Sequence, residues 1–168
     1  MKSQSIDRFI DKIFLGDCLD ILKEIPNESI DLVYIDPPFF TQKTYKSRIK
    51  SNQKEASFDD LWINSNSYSQ WLHSRVNKLH DTLKNDGCIF IHCDWHASHW
   101  VRLVLDDIFG KSNFRNEIIW SYRRWTLAAK HLQRTHDTIF FYSKSETTEI
   151  NTLYEDYSPT TNLDQIWQ

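Results

Sequence analysis

The chain has 168 residues, of which 40% are hydrophobic and 26% are charged. No apolar run approaches the roughly 18 residues that a membrane span requires, so a membrane protein is excluded at this stage. The formal net charge of −3 excludes a generally basic nucleic-acid-binding protein. Three cysteines and an N-terminus without an apolar signal segment predict a reducing, cytoplasmic location.

The first part of the chain alternates short predicted strands and helices. Residues 13–15 predict a strand, and residues 18–24 predict one or two helical turns. Residues 31–35 form a nearly continuous apolar run with β-branched residues, which is typical of a strand buried on both faces. Two prolines end that run. Residues 40–66 are polar with little periodicity, and they predict a long loop.

The second part continues the alternation. Apolar residues at helical spacing predict helices over residues 68–83 and 100–109, each closed by a glycine-containing segment. Strands are predicted at residues 88–93, 117–120 and 138–142. This order of elements predicts an α/β fold with a largely parallel sheet, in which ligands bind beyond the carboxyl ends of the strands.

The segment Asp36-Pro37-Pro38-Phe39, called here the Asp36–Phe39 motif, follows such a strand. Methylating an exocyclic amine requires acceptors for both N–H bonds, which frees the nitrogen lone pair for attack. The Asp36 carboxylate and the Pro37 carbonyl are two such acceptors, and Phe39 provides a ring face for an extruded base. The alternative is a proline-rich turn in which Asp36 only caps the backbone.

Two polar stretches carry clustered cations. Both are candidates for contact with DNA phosphates, and the alternative is a solvated loop. The candidate residues are Lys43, Lys46 and Arg48 in the first stretch, and Arg123, Arg124 and Trp125 in the second.

These segments, in this order, resemble the β-type DNA adenine-N6/cytosine-N4 methyltransferases, especially the modification subunits of type III restriction systems. The resemblance covers roughly residues 10–145. It is carried by the Gly16-Asp17-Cys18 segment, the Asp36–Phe39 motif, the His92-Cys93-Asp94 strand end, and the segments at residues 113–120 and 136–144.

The resemblance implies a Rossmann-like sheet and methyl transfer from S-adenosylmethionine to a flipped base in double-stranded DNA. It assigns the target base to Asp36, Pro37, Pro38 and Phe39, and cofactor contact to Asp17 and Cys18. An aromatic residue among Phe140, Phe141 and Tyr142 is expected to complete the stacking. Adenine is the expected target, with cytosine-N4 as the alternative. The expected partners are a restriction subunit or a second methylase chain.

One family feature is missing from the printed sequence. The family binds its cofactor with a Phe-x-Gly-x-Gly loop, but no two of the glycines Gly16, Gly87 and Gly110 lie within two residues of each other. We therefore expect a partial sheet that lacks the strands of the cofactor-binding half, with a target-base half at residues 1–145 and a polar tail at 146–168. The alternatives are an inactive remnant or a fragment that needs a partner chain.

Two other chemistries are disfavoured. A metal site is suggested by a cluster of possible ligands, namely His92, Cys93, Asp94, His96 and His99. However, His92 and Cys93 point to opposite faces of the predicted strand, and the sequence has no Cys-x-x-Cys pair. Cysteines inside a buried strand usually act as apolar filler rather than as nucleophiles. No metal is expected.

Overall fold

The computed structural model describes residues 5–48, 55–123 and 132–152. Within these residues, strands and α-helices follow one another in the order α1 (Cys18–Leu22), β1 (Ile30–Ile35), β2 (Lys43–Arg48), β3 (Glu55–Asp60), α2 (Ser65–Thr82), β4 (Leu83–Cys93), α3 (Ser98–Phe109), β5 (Phe114–Ser121) and β6 (His136–Ser143).

Four of these strands form one sheet in the order β1-β4-β6-β5. The α/β class and the partial set of strands are confirmed. The expectation of a largely parallel sheet is wrong for the described strands, because only β1 and β4 pair in parallel, whereas β6 runs antiparallel to both β4 and β5. An apolar run predicts that a strand is buried but carries no information on its direction.

The core lies between this sheet and the two long helices. The predicted apolar spacing of α2 is confirmed, because Tyr68, Leu72, Val76 and Leu79 are buried along one face. They form one cluster with strand residues such as Ile89. The helix starts with a capping box, which satisfies backbone N–H groups that the first turn leaves unpaired. The other long helix, α3, ends as predicted at Gly110, whose φ is +80°.

Strand β1 differs from its prediction in burial. Val33 is buried, whereas Leu32 and Tyr34 are 55% and 54% exposed, so only one face is covered. Among the described strands, none pairs with the outer edge of β1. The predicted strand at residues 13–15 is also wrong: the segment is irregular, and Ile13 and Leu15 are fully exposed. None of the described strands pairs with it.

Two further boundaries differ from the sequence-based expectation. Helix α2 ends at Thr82, and the segment expected to close it lies inside β4 instead. Gly87 is needed there for close packing, since a Cβ would lie 3.0 Å from the Asp31 carbonyl oxygen. The predicted loop at residues 40–66 contains the antiparallel pair β2 and β3, which forms a separate two-stranded sheet.

None of the described helices is long and apolar enough to cross a membrane. The predicted division near residue 145 stays a prediction, and the tail beyond residue 152 lies outside the described residues.

Candidate functional site at the carboxyl end of β1

The Asp36–Phe39 motif begins directly after β1, at the end of the sheet where the parallel strand β4 also finishes. The chain leaves the strand here because proline has no N–H group to continue the ladder. The Asp36 side chain is mostly exposed. The buried Tyr68 hydroxyl of α2 donates a hydrogen bond of 2.9 Å to the Pro38 carbonyl oxygen. The helix thereby holds the second proline of the motif in place.

His92 near the end of β4 lies beside the motif. Its Nδ1 is 3.4 Å from Asp36 Oδ1, and its Nε2 is 3.6 Å from Asp137 Oδ2 on β6. The imidazole also meets the Phe39 ring edge-on, with centroids 5.4 Å apart. The Tyr122 hydroxyl donates to the other Asp137 oxygen at 3.0 Å. Asp36 is therefore the exposed end of a polar row that continues through His92 on β4 and Asp137 on β6 to Tyr122, just after β5.

A buried carboxylate fixes the chain just after the motif. Asp60, at the end of β3, is only 1% exposed. It accepts hydrogen bonds from the Phe40 and Thr41 backbone N–H groups at 3.1 and 2.7 Å, from the Thr41 hydroxyl at 2.6 Å, and from Trp62 Nε1 at 2.7 Å. Phe40 and Gln42 have positive φ values of 62° and 58°. The Asp60 bonds hold this uncommon backbone geometry, and with it the position of Phe39.

Two cavities meet at the motif, and Asp36 and Pro37 line both of them. The first, called here the helix-side cavity, has a volume of about 370 Å³ and walls from α1, β1 and α2 that include Cys18, Tyr34 and Trp71. The second, called here the hairpin-side cavity, has a volume of about 480 Å³ and is lined by Asp36, Pro37, Pro38, Phe39, Thr41, Tyr45, Phe58 and Asp60. The motif therefore borders both spaces.

Asp17 and Cys18 lie at the start of α1. One oxygen of Asp17 caps the helix by accepting from the Leu19 N–H at 2.9 Å, and the other accepts from Arg75 at 2.7 Å. The Arg75 guanidinium lies 4.1 Å from the centre of the Trp71 ring. Cys18 is exposed and lines the helix-side cavity. Both oxygens of Asp17 are thus engaged within the protein, whereas Cys18 borders the open space.

Only some of the expected DNA contacts can be located. Lys43 and Lys46 are exposed on β2, and Arg123 is exposed just after β5. Arg48 belongs to β2 by its backbone, but its side chain is outside the described part. Arg124 and Trp125 also lie outside the described residues.

The expected stacking residues on β6 lie in the core. Phe140, Phe141 and Tyr142 are 3%, 8% and 0% exposed. The Phe141 ring stacks on Phe90 with centroids 4.4 Å apart, and the Tyr142 hydroxyl donates to Asp106 at 2.6 Å. Burial raises the pKa of Tyr142. No face of these rings is free for a base, so this part of the prediction needs correction. The resemblance suggested these residues for stacking, but their rings pack in the core instead.

The histidines and carboxylates near β4 are engaged with one another. Asp94 accepts from the His96 backbone N–H at 2.8 Å, and its other oxygen lies 2.7 Å from His96 Nδ1. Cys93 is buried, which raises the pKa of its thiol to about 12. Across residues 5–48, 55–123 and 132–152, no group of three or more His, Cys, Asp or Glu side chains could hold a metal ion.

Sequence reasoning missed Tyr45, Phe58 and Asp60, which all border the motif. They belong to the hairpin of β2 and β3. Most of the described residues of this hairpin are polar and exposed. The alternation of a half-buried strand is therefore absent. The one available signal is the pair of aromatic residues in an otherwise polar segment.

The sequence profile of one family, described as DNA methylase, matches residues 30–167. Among curated proteins, the chain is 28% identical to the type II methyltransferase M.HinfI of Haemophilus influenzae over 72% of this chain and 34% of that protein. It is 30% identical to the DNA adenine methyltransferase YhdJ of Escherichia coli K12, over 79% of this chain and 40% of that protein. It is 26% identical to the EcoP15I Mod subunit of Escherichia coli, over 88% and 26% respectively. The chain thus spans roughly a third of the length of these relatives.

Two solved structures share the fold. The cytosine-N4-specific PvuII DNA methyltransferase has a TM-score of 0.56 and 21% identity, over 81% of this chain and 50% of that chain. A DNA modification methylase of Thermus thermophilus, TTHA0409, solved with S-adenosyl-L-methionine, has a TM-score of 0.54 and 14% identity, over 82% and 55% respectively. At these identities the likeness concerns the fold alone.

Proposed function

Because the chain belongs to the N6/N4 DNA methylase family, we propose that it forms the target-base half of a DNA methyltransferase that uses S-adenosylmethionine and modifies adenine at N6. One observation carries this proposal: Asp36 and Pro37 lie between two cavities and line both. In-line transfer places the amine nitrogen and the donor's sulfur on opposite sides of the methyl carbon, so the base and the methyl donor need two spaces that meet at the groups holding the amine.

The residues around the motif suit the chemistry of an exocyclic amine. The Asp36 carboxylate and the Pro37 carbonyl accept the two N–H bonds, which frees the nitrogen lone pair to attack. S-adenosylmethionine, when bound, supplies the methyl group and keeps the electrons of the broken C–S bond on sulfur. After the N–C bond forms, the nitrogen loses one proton to Asp36, from which it passes to water. Tyr68 keeps Pro38 fixed throughout.

The helix-side cavity is the proposed place for the cofactor. Its walls are largely apolar and aromatic, which fits the adenine ring of S-adenosylmethionine. Cys18 is proposed to contact that ring, whereas Asp17 orients α1 and Arg75. No glycine is among the lining residues, so the close backbone approach that the methionine part needs has to come from another segment.

We further propose that this segment is provided by additional polypeptide, either of the same protein or of a partner chain. The exposed edge of β1 and the exposed apolar side chains of Ile13, Leu15, Leu32 and Tyr34 support this proposal. Unpaired edges and apolar surfaces of this kind are usually covered in native proteins. A second methylase chain or a restriction subunit is the expected partner, double-stranded DNA is the substrate, and the cytoplasmic location stays a prediction.

The test is to express the chain, alone and together with the polypeptide encoded downstream of it, in a host without DNA methyltransferases. The host DNA is digested to nucleosides and analysed by mass spectrometry. We expect N6-methyldeoxyadenosine only in the combined expression. N4-methyldeoxycytidine instead would establish the cytosine alternative. No methylated nucleoside in either case would favour an inactive remnant.

A further inference from the structure

An exposed aromatic pair lies on the hairpin beside the motif. Tyr45 on β2 and Phe58 on β3 are cross-strand partners, and their rings stack with centroids 4.9 Å apart and planes 11° from parallel. They are 41% and 54% exposed. Cross-strand aromatic pairs stabilise hairpins by themselves, so stacking alone does not imply a ligand.

The position of the pair does point to a ligand. Both rings line the hairpin-side cavity, together with Asp36, Pro37 and Phe39. The pair therefore faces the groups that are proposed to hold an amine. Since Phe39 already packs against His92 and the core, Tyr45 and Phe58 offer the more accessible aromatic surface in this cavity.

The hairpin is tied to the motif rather than loosely attached. Asp60, at the end of β3, holds the Phe40 and Thr41 backbone just after Phe39. The Tyr45 hydroxyl donates to the Thr41 hydroxyl oxygen at 3.0 Å. These contacts place the two rings before any ligand arrives, which lowers the ordering cost of binding.

Positive charge on β2 is complementary to the negatively charged phosphates of a nucleic acid. Lys43 lies two residues before Tyr45 and therefore on the same face of β2, and it is exposed, whereas Lys46 lies on the opposite face. Stacking of a base on an aromatic ring tolerates any base, and nearby cations attract the phosphates.

We propose that Tyr45 and Phe58 form the stacking platform for the nucleobase whose amine is held by Asp36 and Pro37. This inference rests on the proposed function and takes over the role first expected of the β6 aromatics. The ligand is a nucleobase ring in an unpaired nucleotide, with Lys43 contacting a flanking phosphate.

The experiment uses the full chain and a short single-stranded oligothymidine that carries one 2-aminopurine. This probe needs no extrusion and no recognition sequence, and its fluorescence is quenched when the base stacks on an aromatic ring. The variants are Tyr45→Ala, Phe58→Ala, Tyr45→Leu and Phe58→Leu. The leucine variants keep apolar bulk in the hairpin and lose only the flat ring. Tyr45→Phe keeps the ring and removes the hydroxyl, and Trp120→Ala removes another exposed aromatic residue on β5. Circular dichroism and the thermal midpoint verify that each variant is folded.

We expect the alanine and leucine variants to lose the quenching and to bind about tenfold more weakly. Trp120→Ala should behave like the unaltered chain. Tyr45→Phe should retain the quenching, because it keeps the ring. Equal quenching and affinity in all variants would overturn the inference, and so would the absence of binding by the unaltered chain. In either case the methylation assay above tests the proposed function separately, since it measures the methylated nucleosides that the unaltered chain produces and not the stacking of a base on these rings.

Discussion

Replacing Asp60 with alanine should loosen the turn that follows the Asp36–Phe39 motif. The buried carboxylate accepts four hydrogen bonds, at 2.6 to 3.1 Å, from Phe40, Thr41 and Trp62. Alanine would leave all four donors without this acceptor in a site from which water is largely excluded. Asparagine would keep one of the two acceptor oxygens. In place of the other oxygen it would turn an NH₂ group, itself a donor, toward donors that need an acceptor.

The size of the effect follows from these contacts. A hydrogen bond to a charged group contributes about 1.5–3 kcal/mol, but bonds that share one carboxylate are not additive. We therefore expect Asp60→Ala to lower the free energy of unfolding by about 3–5 kcal/mol, and Asp60→Asn by a smaller amount. A domain of this size has only about 5–15 kcal/mol in total, so the loss is easily measured.

The assay is urea unfolding combined with amide hydrogen exchange. Exchange at Phe40 and Thr41 should accelerate most, because their N–H groups donate directly to the lost carboxylate. Asp59→Asn is the matched control, since Asp59 is exposed and accepts a single bond from the Thr44 hydroxyl; it should cost less than about 1 kcal/mol. The reasoning is refuted if Asp60→Ala unfolds at the same urea concentration as the unaltered chain and leaves exchange at both residues unchanged.

Three further outcomes are expected. Burial lowers the pKa of His80, so the folded chain resists protonation of this residue. The stability of the fold should therefore decrease as the pH drops below about 6.5, where the unfolded chain takes up the proton. In thermal unfolding measured over a range of pH, His80→Gln should reduce this loss. Thiol labelling of the native chain should modify exposed Cys18 quickly and spare Cys93, whose pKa burial raises to about 12; equal rates for both would contradict the described burial. Leu32→Lys on the exposed edge of β1 should leave the thermal midpoint of the chain alone nearly unchanged and reduce methylation in the combined expression. Leu103→Lys, at an exposed leucine of α3, should leave both unchanged; equal methylation in the two variants would argue against docking at the edge.

The long elements could be predicted from the sequence because their burial is regular. Helix α2 shows its apolar face in the spacing of Tyr68, Leu72, Val76 and Leu79, and this pattern depends only on contacts with the core. The position of the Asp36–Phe39 motif was equally predictable, since prolines directly after an apolar run end a strand. Strand directions could not be predicted, because β6 is apolar whichever way it runs.

The rest of the site depends on long-range contacts that leave little trace in the sequence. Asp60 is one carboxylate in a polar segment, and its importance comes from N–H groups 19 and 20 residues earlier in the chain. The rings of Phe140 and Tyr142 were mistaken for a binding surface because a buried aromatic residue and an exposed one look alike in sequence. Residues 13–15 are apolar without being buried in the described structure, so the strand expected there was wrong.

The central claim is that the Asp36 carboxylate holds the amine that is methylated. Its most direct test is to measure methylated nucleosides by mass spectrometry after combined expression of the Asp36→Ala variant, beside Asp31→Ala as the matched control. Asp31 is an exposed carboxylate on β1, the strand that precedes Asp36, and its partner is Lys84, so its loss should change little. We predict that Asp36→Ala abolishes N6-methyldeoxyadenosine while Asp31→Ala retains it. Methylation at the same level in Asp36→Ala would contradict the account.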